Sequence, residues 1–382
     1  MKPLSPLDAI SPSFSRMRSI LLPPGPTPGL TAPFRFWFFF KMTLVGAFTE
    51  SGFYSASILF FFEGLAFAVF TGLGRGLRNP AFETSRGLTT ALLFAGIFGG
   101  AIALAIWIFL GWLWCRLRFS LFDLVLFRHG RVGVAWARYG APAWRFLGLT
   151  ILVTLAFLLV LGLTAGPFVL HLVLTMRHLT PQQINADPFL IIGHILPLYG
   201  FLFGGILLVA VVDAILQDFL LPPMAIEDAP VEDSVGRFFH LLRNRTGATL
   251  TYLLLRFGLQ FGLSAAGGIV VFIILGVLVS GGVGFGFVLH HVFAHAGPGG
   301  FAIFVLYCVV AALIVAVIYF LTLIFLHGTI AVFRQSYAQY FYGSHYPLLG
   351  NYLEPDPSAP PSVSPPPLLA SLAPAPEPPP IA

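Results

Sequence analysis

Charge is what this chain has least of. Of its 382 residues, 9% are Asp, Glu, Lys or Arg, against about 25% in an average soluble domain. A surface facing water needs roughly a quarter to a third of its positions charged, so a water-soluble globule is excluded. Cysteine is scarce as well. Cys115 and Cys308 are the two present, both in or beside apolar runs where a thiol packs as a small hydrophobe, and they imply neither a disulfide framework nor a cysteine metal site. Met1 to Pro24 has a charged start but lacks an apolar core ending in a small-residue cleavage site, so no cleaved signal peptide is expected.

What the chain does have is apolar surface: 57% hydrophobic residues, 41 Phe and a mean hydropathy of +0.90. The expected class is all-α, a polytopic membrane helical bundle. The net charge of +5 comes from basic residues scattered beside apolar segments, a pattern of membrane orientation rather than of nucleic-acid binding, and no nucleic-acid partner is expected.

A spanning helix needs about 20 mostly apolar residues, because the hydrocarbon core is about 30 Å thick. Six stretches qualify: Phe36 to Phe60, Thr89 to Trp114, Phe146 to Leu170, Pro188 to Leu216, Phe257 to Val279 and Phe301 to Leu326. Ser55 to Leu73 is a further apolar piece, interrupted by Glu63. Six spans with the N-terminus inside place 15 Lys and Arg inside and 4 outside, with Arg256 set aside at the start of a span. A seventh span at Ser55 to Leu73 gives 9 inside and 10 outside. The positive-inside rule therefore selects six spans with both termini cytoplasmic, in a cell (inner) membrane, and leaves Ser55 to Leu73 as the extended end of the first span or a helix at the outer interface. Asp187 before Pro188, and Ser11 before Pro12, read as N-caps followed by proline in the first turn.

The inner connections look alike: a turn, a short amphipathic helix with arginines, then entry into a span. Arg118 to Gly148 aligns with Gln217 to Gly247 at an offset of 99 residues, pairing Leu121 with Leu220, Val132 with Val231, Arg138 with Arg237 and Gly148 with Gly247. The run around Arg16 and Arg18 looks like a more diverged copy. The expected organisation is one membrane domain over residues 1–350, with three hairpin units near 11–115, 116–216 and 217–330. Residues 351–382 follow as a tail containing 12 prolines, read as disordered or polyproline-like. Gly258, Gly262 and Ala266 offer a small-xxx-small face on the fifth span, and Gly96 and Gly100 one on the second.

The runs SFSRMRSILLPP, PFRFWFFFK, LFDLVLFRHGRVGVAWARY, QDFLLPPMAIEDAPVEDSVGRFFHLLRNRTGA and AVFRQSYAQYFYG together resemble a group of uncharacterised prokaryotic six-span membrane proteins. That group is related to the membrane domain fused to some glycerophosphodiester phosphodiesterases and to YciC-like inner-membrane proteins. The resemblance covers Ser11 to Pro347 and implies fold and location. It implies no phosphodiesterase activity, because the chain has no soluble phosphodiesterase domain.

Candidate sites are few. His291 and His295 lie four apart and would share one face of a helix, a spacing that suits Zn²⁺ or Cu²⁺. No Glu follows His291, however, so the zincin pattern is missing, and interfacial histidines without a ligand are the plainer reading. Charge within membrane depth is costly and tends to be functional. Glu50, Glu63, Asp213 and Arg256 are such positions, with an Asp213 to Arg256 pair expected between adjacent helices and Glu63 the single carboxylate most worth testing. Glu227, Asp228, Glu232 and Asp233 precede a helix whose later turns carry Arg237, Arg243 and Arg245, the arrangement a helix dipole favours. Gly72-Leu-Gly-Arg-Gly76 has no preceding strand and reads as a loop, not a phosphate cradle. No catalytic motif and no cofactor site is found. The expected role is a non-enzymatic membrane module in envelope maintenance or partner assembly; a transporter or channel for a small or lipidic substrate is the alternative. The expected partners are the bilayer and other membrane proteins or a second copy of the chain.

Overall fold

The computed structural model describes residues 3–22, 35–50, 86–128, 132–178, 188–293 and 297–354. Among these residues the chain is helical, with no strand. This follows from the composition: in lipid no water satisfies backbone N–H and C=O groups, and a helix satisfies them within one segment. The elements are α1 (Ile10–Leu21), α2 (Phe36–Glu50), α3 (Arg86–Phe127), α4 (Val132–Arg138), α5 (Gly140–His178), α6 (Pro188–Ile215), a π-helical turn (Leu216–Leu220), α7 (Leu221–Ile226), α8 (Val231–Asn244), α9 (Thr246–Phe293), α10 (Gly297–Gly343) and α11 (Pro347–Leu353).

Five helices are long and apolar enough to cross a membrane, over Phe98–Phe127, Gly140–Phe168, Phe203–Ile226, Thr246–Phe293 and Gly299–Gly343. They correspond to the second to sixth expected spans. The first is represented by α2, a shorter apolar helix, and its continuation from 51, like Ser55 to Leu73 and Glu63, lies outside the described residues. At their packed ends the helices overrun the apolar stretches. Helix α3 continues from Trp114 to Phe127, α5 starts at Gly140 instead of Phe146, α9 starts at Thr246 instead of Phe257, and α10 runs past Leu326 to Gly343. Polar residues that look like loop in the sequence stay helical because their side chains find partners inside the protein.

All these overruns meet at one end, here called basal. The main cluster of buried side chains joins Phe119 and Phe122 of α3, Phe146 of α5, Phe219 of the π turn, Tyr252 of α9, and Tyr337 and Phe341 of α10. Tyr252 stacks on Phe341 with ring centroids 4.3 Å apart. Away from this layer the spans turn large apolar side chains outward, such as Leu163, Phe272 and Leu313, as lipid contact requires. The short helices α1, α4, α8 and α11 close the basal end. Helix α1 starts at Ile10, ahead of the expected Ser11 cap, so Pro12 sits in the first turn, where a missing N–H is harmless. Its Arg16 donates from Nε to Val125 O (3.0 Å) and from Nη2 to Leu126 O (2.6 Å), capping the carbonyl end of α3 with a cation. Helices α3 and α7 end 99 residues apart, at Phe127 and Ile226, and α4 and α8 begin 99 apart, at Val132 and Val231.

The expected glycine faces are not where the helices touch. A Cβ on Gly258, Gly262 or Gly100 would meet open space, whereas one on Gly328 would collide with the Thr43 backbone and one on Gly46 would lie 2.7 Å from Gly328 O. The close crossing is thus between α2 and α10, where backbone meets backbone. Gly328→Val should lower the detergent thermal midpoint and folded yield, by an overpacking cost of about 3 kcal/mol or more. Gly262→Ala should be neutral, or stabilising by up to about 1 kcal/mol from helix propensity, in the same thermal-shift measurement.

Candidate functional site: a buried ion layer at the basal end

Four helices bring charged side chains into the basal core. Arg118 of α3 is buried, with 1% of the residue exposed. It holds Asp213 of α6 by two parallel bonds, Nη1 to Oδ1 at 2.7 Å and Nη2 to Oδ2 at 2.6 Å, the fork-to-fork geometry for which guanidinium is suited. Its centre also lies 3.6 Å from the centroid of the Trp114 ring, one turn back on the same helix. Such an arrangement replaces water on both the edge and the face of the guanidinium.

Asp218, also 1% exposed, belongs to the π turn. In a regular α-helix residues five apart differ by about 140° in direction. The wider turn at Leu216–Leu220 changes this register and buries all five of its residues. Asp218 then faces α9, where it pairs with Arg256 and accepts a hydrogen bond from Tyr252 Oη at 2.9 Å. The preceding Gln217 accepts from Arg334 Nη2 of α10 (3.2 Å), and its amide donates to Gln335 Oε1 (3.2 Å). Arg334 Nη1 lies 3.5 Å from Gln260 Oε1. The cavity bounded by Arg256, Gln260, Arg334 and Tyr337 measures about 10 Å³, room for at most one water.

The layer corrects the pairing expected from sequence. Asp213 and Arg256 are both in it, but Asp213 takes Arg118 and Arg256 takes Asp218. The apolar run ends at Trp114, so Arg118 looks like a loop charge, when it is the next turn of a helix that continues. The π turn supplies the other half of the reason, and no spacing rule announces it. Of the remaining candidates, His291 is exposed on α9 beside Phe287, while His295 and Glu63 lie outside the described residues. Glu50 ends α2. Among the described residues no three His, Cys, Asp or Glu side chains group as metal ligands.

A second set of charges ties the basal helices together. Asp123 near the end of α3 pairs with Arg138 (3.2 Å) and accepts from Tyr139 Oη (2.6 Å), and burial beside this carboxylate pushes the Tyr139 phenol well above its usual range. Arg237 of α8 holds Glu227 by two bonds of 2.8 Å, and Tyr346 Oη donates to the same carboxylate. Arg237 and Tyr346 keep the Glu227 carboxyl below its ordinary value. Arg145 pairs with Asp228, whose φ of 54° is a left-handed turn position that Asp tolerates. The acidic run is therefore structural, as the dipole reading expects: Glu232 and Asp233 open α8 and Arg243 closes it.

This constellation has no nucleophile poised beside a base and no open metal position. Its chemistry is mutual neutralisation of charge in a largely buried site, of which the Asp213 side chain, 24% exposed, is the open edge. The chain belongs to a family of unknown function (DUF7544), whose match covers residues 4–352 and so takes in every basal element. No curated protein and no solved structure matches it.

Removing one partner of a buried pair leaves the other uncompensated, at about 3–5 kcal/mol. Asp213→Leu or Arg118→Met alone should therefore unfold much of the protein in a thermal-shift assay, and the double variant should recover most of the loss. The coupling of Asp213 with Arg118 should exceed its coupling with Arg256. The Glu227 clasp is partly exposed and is worth less, about 1 kcal/mol or below. Because the folded-state pKa of Glu227 is lowered, its contribution is present above the ordinary carboxylate range and is lost as pH falls through the lowered value. Wild type should thus be more stable than Glu227→Gln at pH 7, and the gap should close as pH drops below about 4.

Proposed function

We propose that the chain is a non-enzymatic membrane module of a prokaryotic cell (inner) membrane, acting in envelope maintenance or partner assembly, with both termini and the basal layer on the cytoplasmic side. The observation that carries this reading is the closed ion layer. Arg118 with Asp213 and Arg256 with Asp218 neutralise one another in pairs, and the cavity beside Arg256 and Arg334 measures about 10 Å³, whereas a conduit needs polar groups lining an open path. Orientation rests on Arg16, Arg116, Arg118, Arg138, Arg145, Arg237, Arg243, Arg245 and Arg334, all on basal elements, which the positive-inside rule puts in the cytoplasm. The resemblance to YciC-like proteins and to the phosphodiesterase-fused membrane domain agrees with such a module. So does a three-unit organisation, for which the 99-residue recurrence of helix boundaries is an argument. Partners on this reading are the bilayer and other membrane proteins or a second copy.

The test is a pair of measurements on purified full-length protein. Reconstituted in liposomes, it should give no flux of protons, monovalent ions, small metabolites or fluorescent phospholipid above protein-free vesicles. Mild-detergent purification from the native host should retain a membrane-protein partner at fixed stoichiometry. Flux that disappears on Glu63→Gln would establish transport instead.

A further inference from the structure

We propose that Arg116 and the three tryptophans around it bind the phosphate group of a bilayer phospholipid. Arg116 lies on α3 one turn beyond Trp112 and two residues before Arg118. Two residues turn a helix by about 200°, so Arg116 points away from the ion layer, toward α4 and α5. Its Nε donates to Trp136 O of α4 at 2.8 Å, one of the carbonyls that the end of a helix leaves free. The guanidinium carbon lies 4.9 Å from the centroid of the Trp112 ring and 4.7 Å from that of Trp136. These two rings stand at 79° to each other and form a corner, and Trp144 of α5 stacks on Trp112 at 5.8 Å to extend one wall. The rings attract the cation, and the carbonyl fixes its rotation. What is left is the edge formed by Nη1 and Nη2. Among the described residues no carboxylate takes it, because each ion-paired carboxylate goes to a different arginine. The edge is open as well: Arg116 is only partly buried and its Nη1 and Nη2 are not enclosed. A guanidinium oriented in this way, with its fork unused, suits an oxyanion that accepts two parallel bonds, as phosphate does.

Position identifies the source of the phosphate. The outward-facing apolar residues of α3 run down to Phe109 and Leu110, those of α5 start at Leu152, and Trp144 is exposed nearer the base. Beside it Arg145 is partly exposed and paired with the exposed Asp228. Arg116 thus stands at the level where outward side chains change from apolar to charged, which is the headgroup layer, where tryptophan is also favoured. The oxyanions concentrated there are lipid phosphates, and basic pockets between spans take such headgroups. A free phosphate in water would gain little from one guanidinium walled by indoles, whereas the same walls, continuous with the lipid-facing residues above them, give the glycerol end of a phospholipid apolar surface to lie on. The inference rests on the membrane class alone and holds whether the chain acts as a module or as a transporter.

The test is native mass spectrometry of the full-length protein in detergent, titrated with phosphatidylglycerol and, separately, with diacylglycerol carrying the same tails. Wild type should retain phosphatidylglycerol at concentrations where diacylglycerol is not held. Arg116→Gln should weaken that retention by roughly tenfold, the equivalent of one charge-assisted bond. Arg116→Lys, which keeps the charge and loses the fork, should fall between the two, and Arg243→Gln, on the exposed side of α8, should match wild type. Equal retention of diacylglycerol, or an Arg116→Gln protein that binds as wild type does, overturns the proposal. Displacement of the lipid by millimolar inorganic phosphate also overturns it, because the site would then be one for a free anion. If Arg116→Gln does not fold, wild type in vesicles containing a phospholipid with a photoreactive headgroup decides: adducts at Trp136 and Trp144 should exceed those at the exposed Phe239 and His240 of α8 by threefold or more, and even labelling overturns the proposal.

Discussion

The two-bond pairing of Arg118 with Asp213 is the interaction on which the basal half of the molecule depends. Either charge by itself at that depth would carry a desolvation cost of several kcal/mol, and neither helix could then continue past its apolar run. Paired, and with Trp114 over the guanidinium, they let α3 and α6 run on as helix into the layer where aromatic residues do the packing. Arg256 with Asp218 does the same for α9 and the π turn. The lack of charge in the chain and the location of the little it has therefore have one cause. Most of the surface faces lipid and carries none, while a few residues at the basal end carry it in pairs that cancel.

This changes what the basic residues mean. By position in the sequence, Arg16, Arg118, Arg138 and Arg334 count as inner-side charges that set orientation. In the structure each is also a partner inside the protein: Arg16 to the last carbonyls of α3, Arg118 to Asp213, Arg138 to Asp123 and Arg334 to Gln217. Topological bias and internal pairing are compatible, because a cation that keeps a helix end in the cytoplasm during insertion can be neutralised when the helices pack. The surface role is left to residues such as Arg145 and Arg237, whose side chains are more than a third exposed.

Class and approximate spans were legible in the sequence because hydropathy over about 20 residues reports directly on the solvent a helix faces. Two things were not. Helix ends were misplaced where a polar residue such as Arg118 or Arg256 is satisfied by a partner distant in sequence, since hydropathy registers the cost of the charge and not its compensation. Helix contacts were misplaced because small residues make close approach possible without requiring it. Gly258 and Gly262 face open space, while Gly46 and Gly328, which sit in no regular motif, make the closest crossing. Asp213 and Arg256, expected as a pair, each take another partner, Arg118 and Asp218, across the π-helical turn.

A rigid base joined to lightly packed spans also bears on how such a protein could act. Close packing, with stacked Tyr252 and Phe341 and the two-bond Arg118–Asp213 pair, is concentrated within a few turns of the basal end. Farther out, the contacts include local devices such as Tyr307 on Gly282 or the Gly205 approach to Phe157. Where buried contacts are dense, local opening costs more, so the base is expected to open at higher free energy than the outer parts of the hairpins.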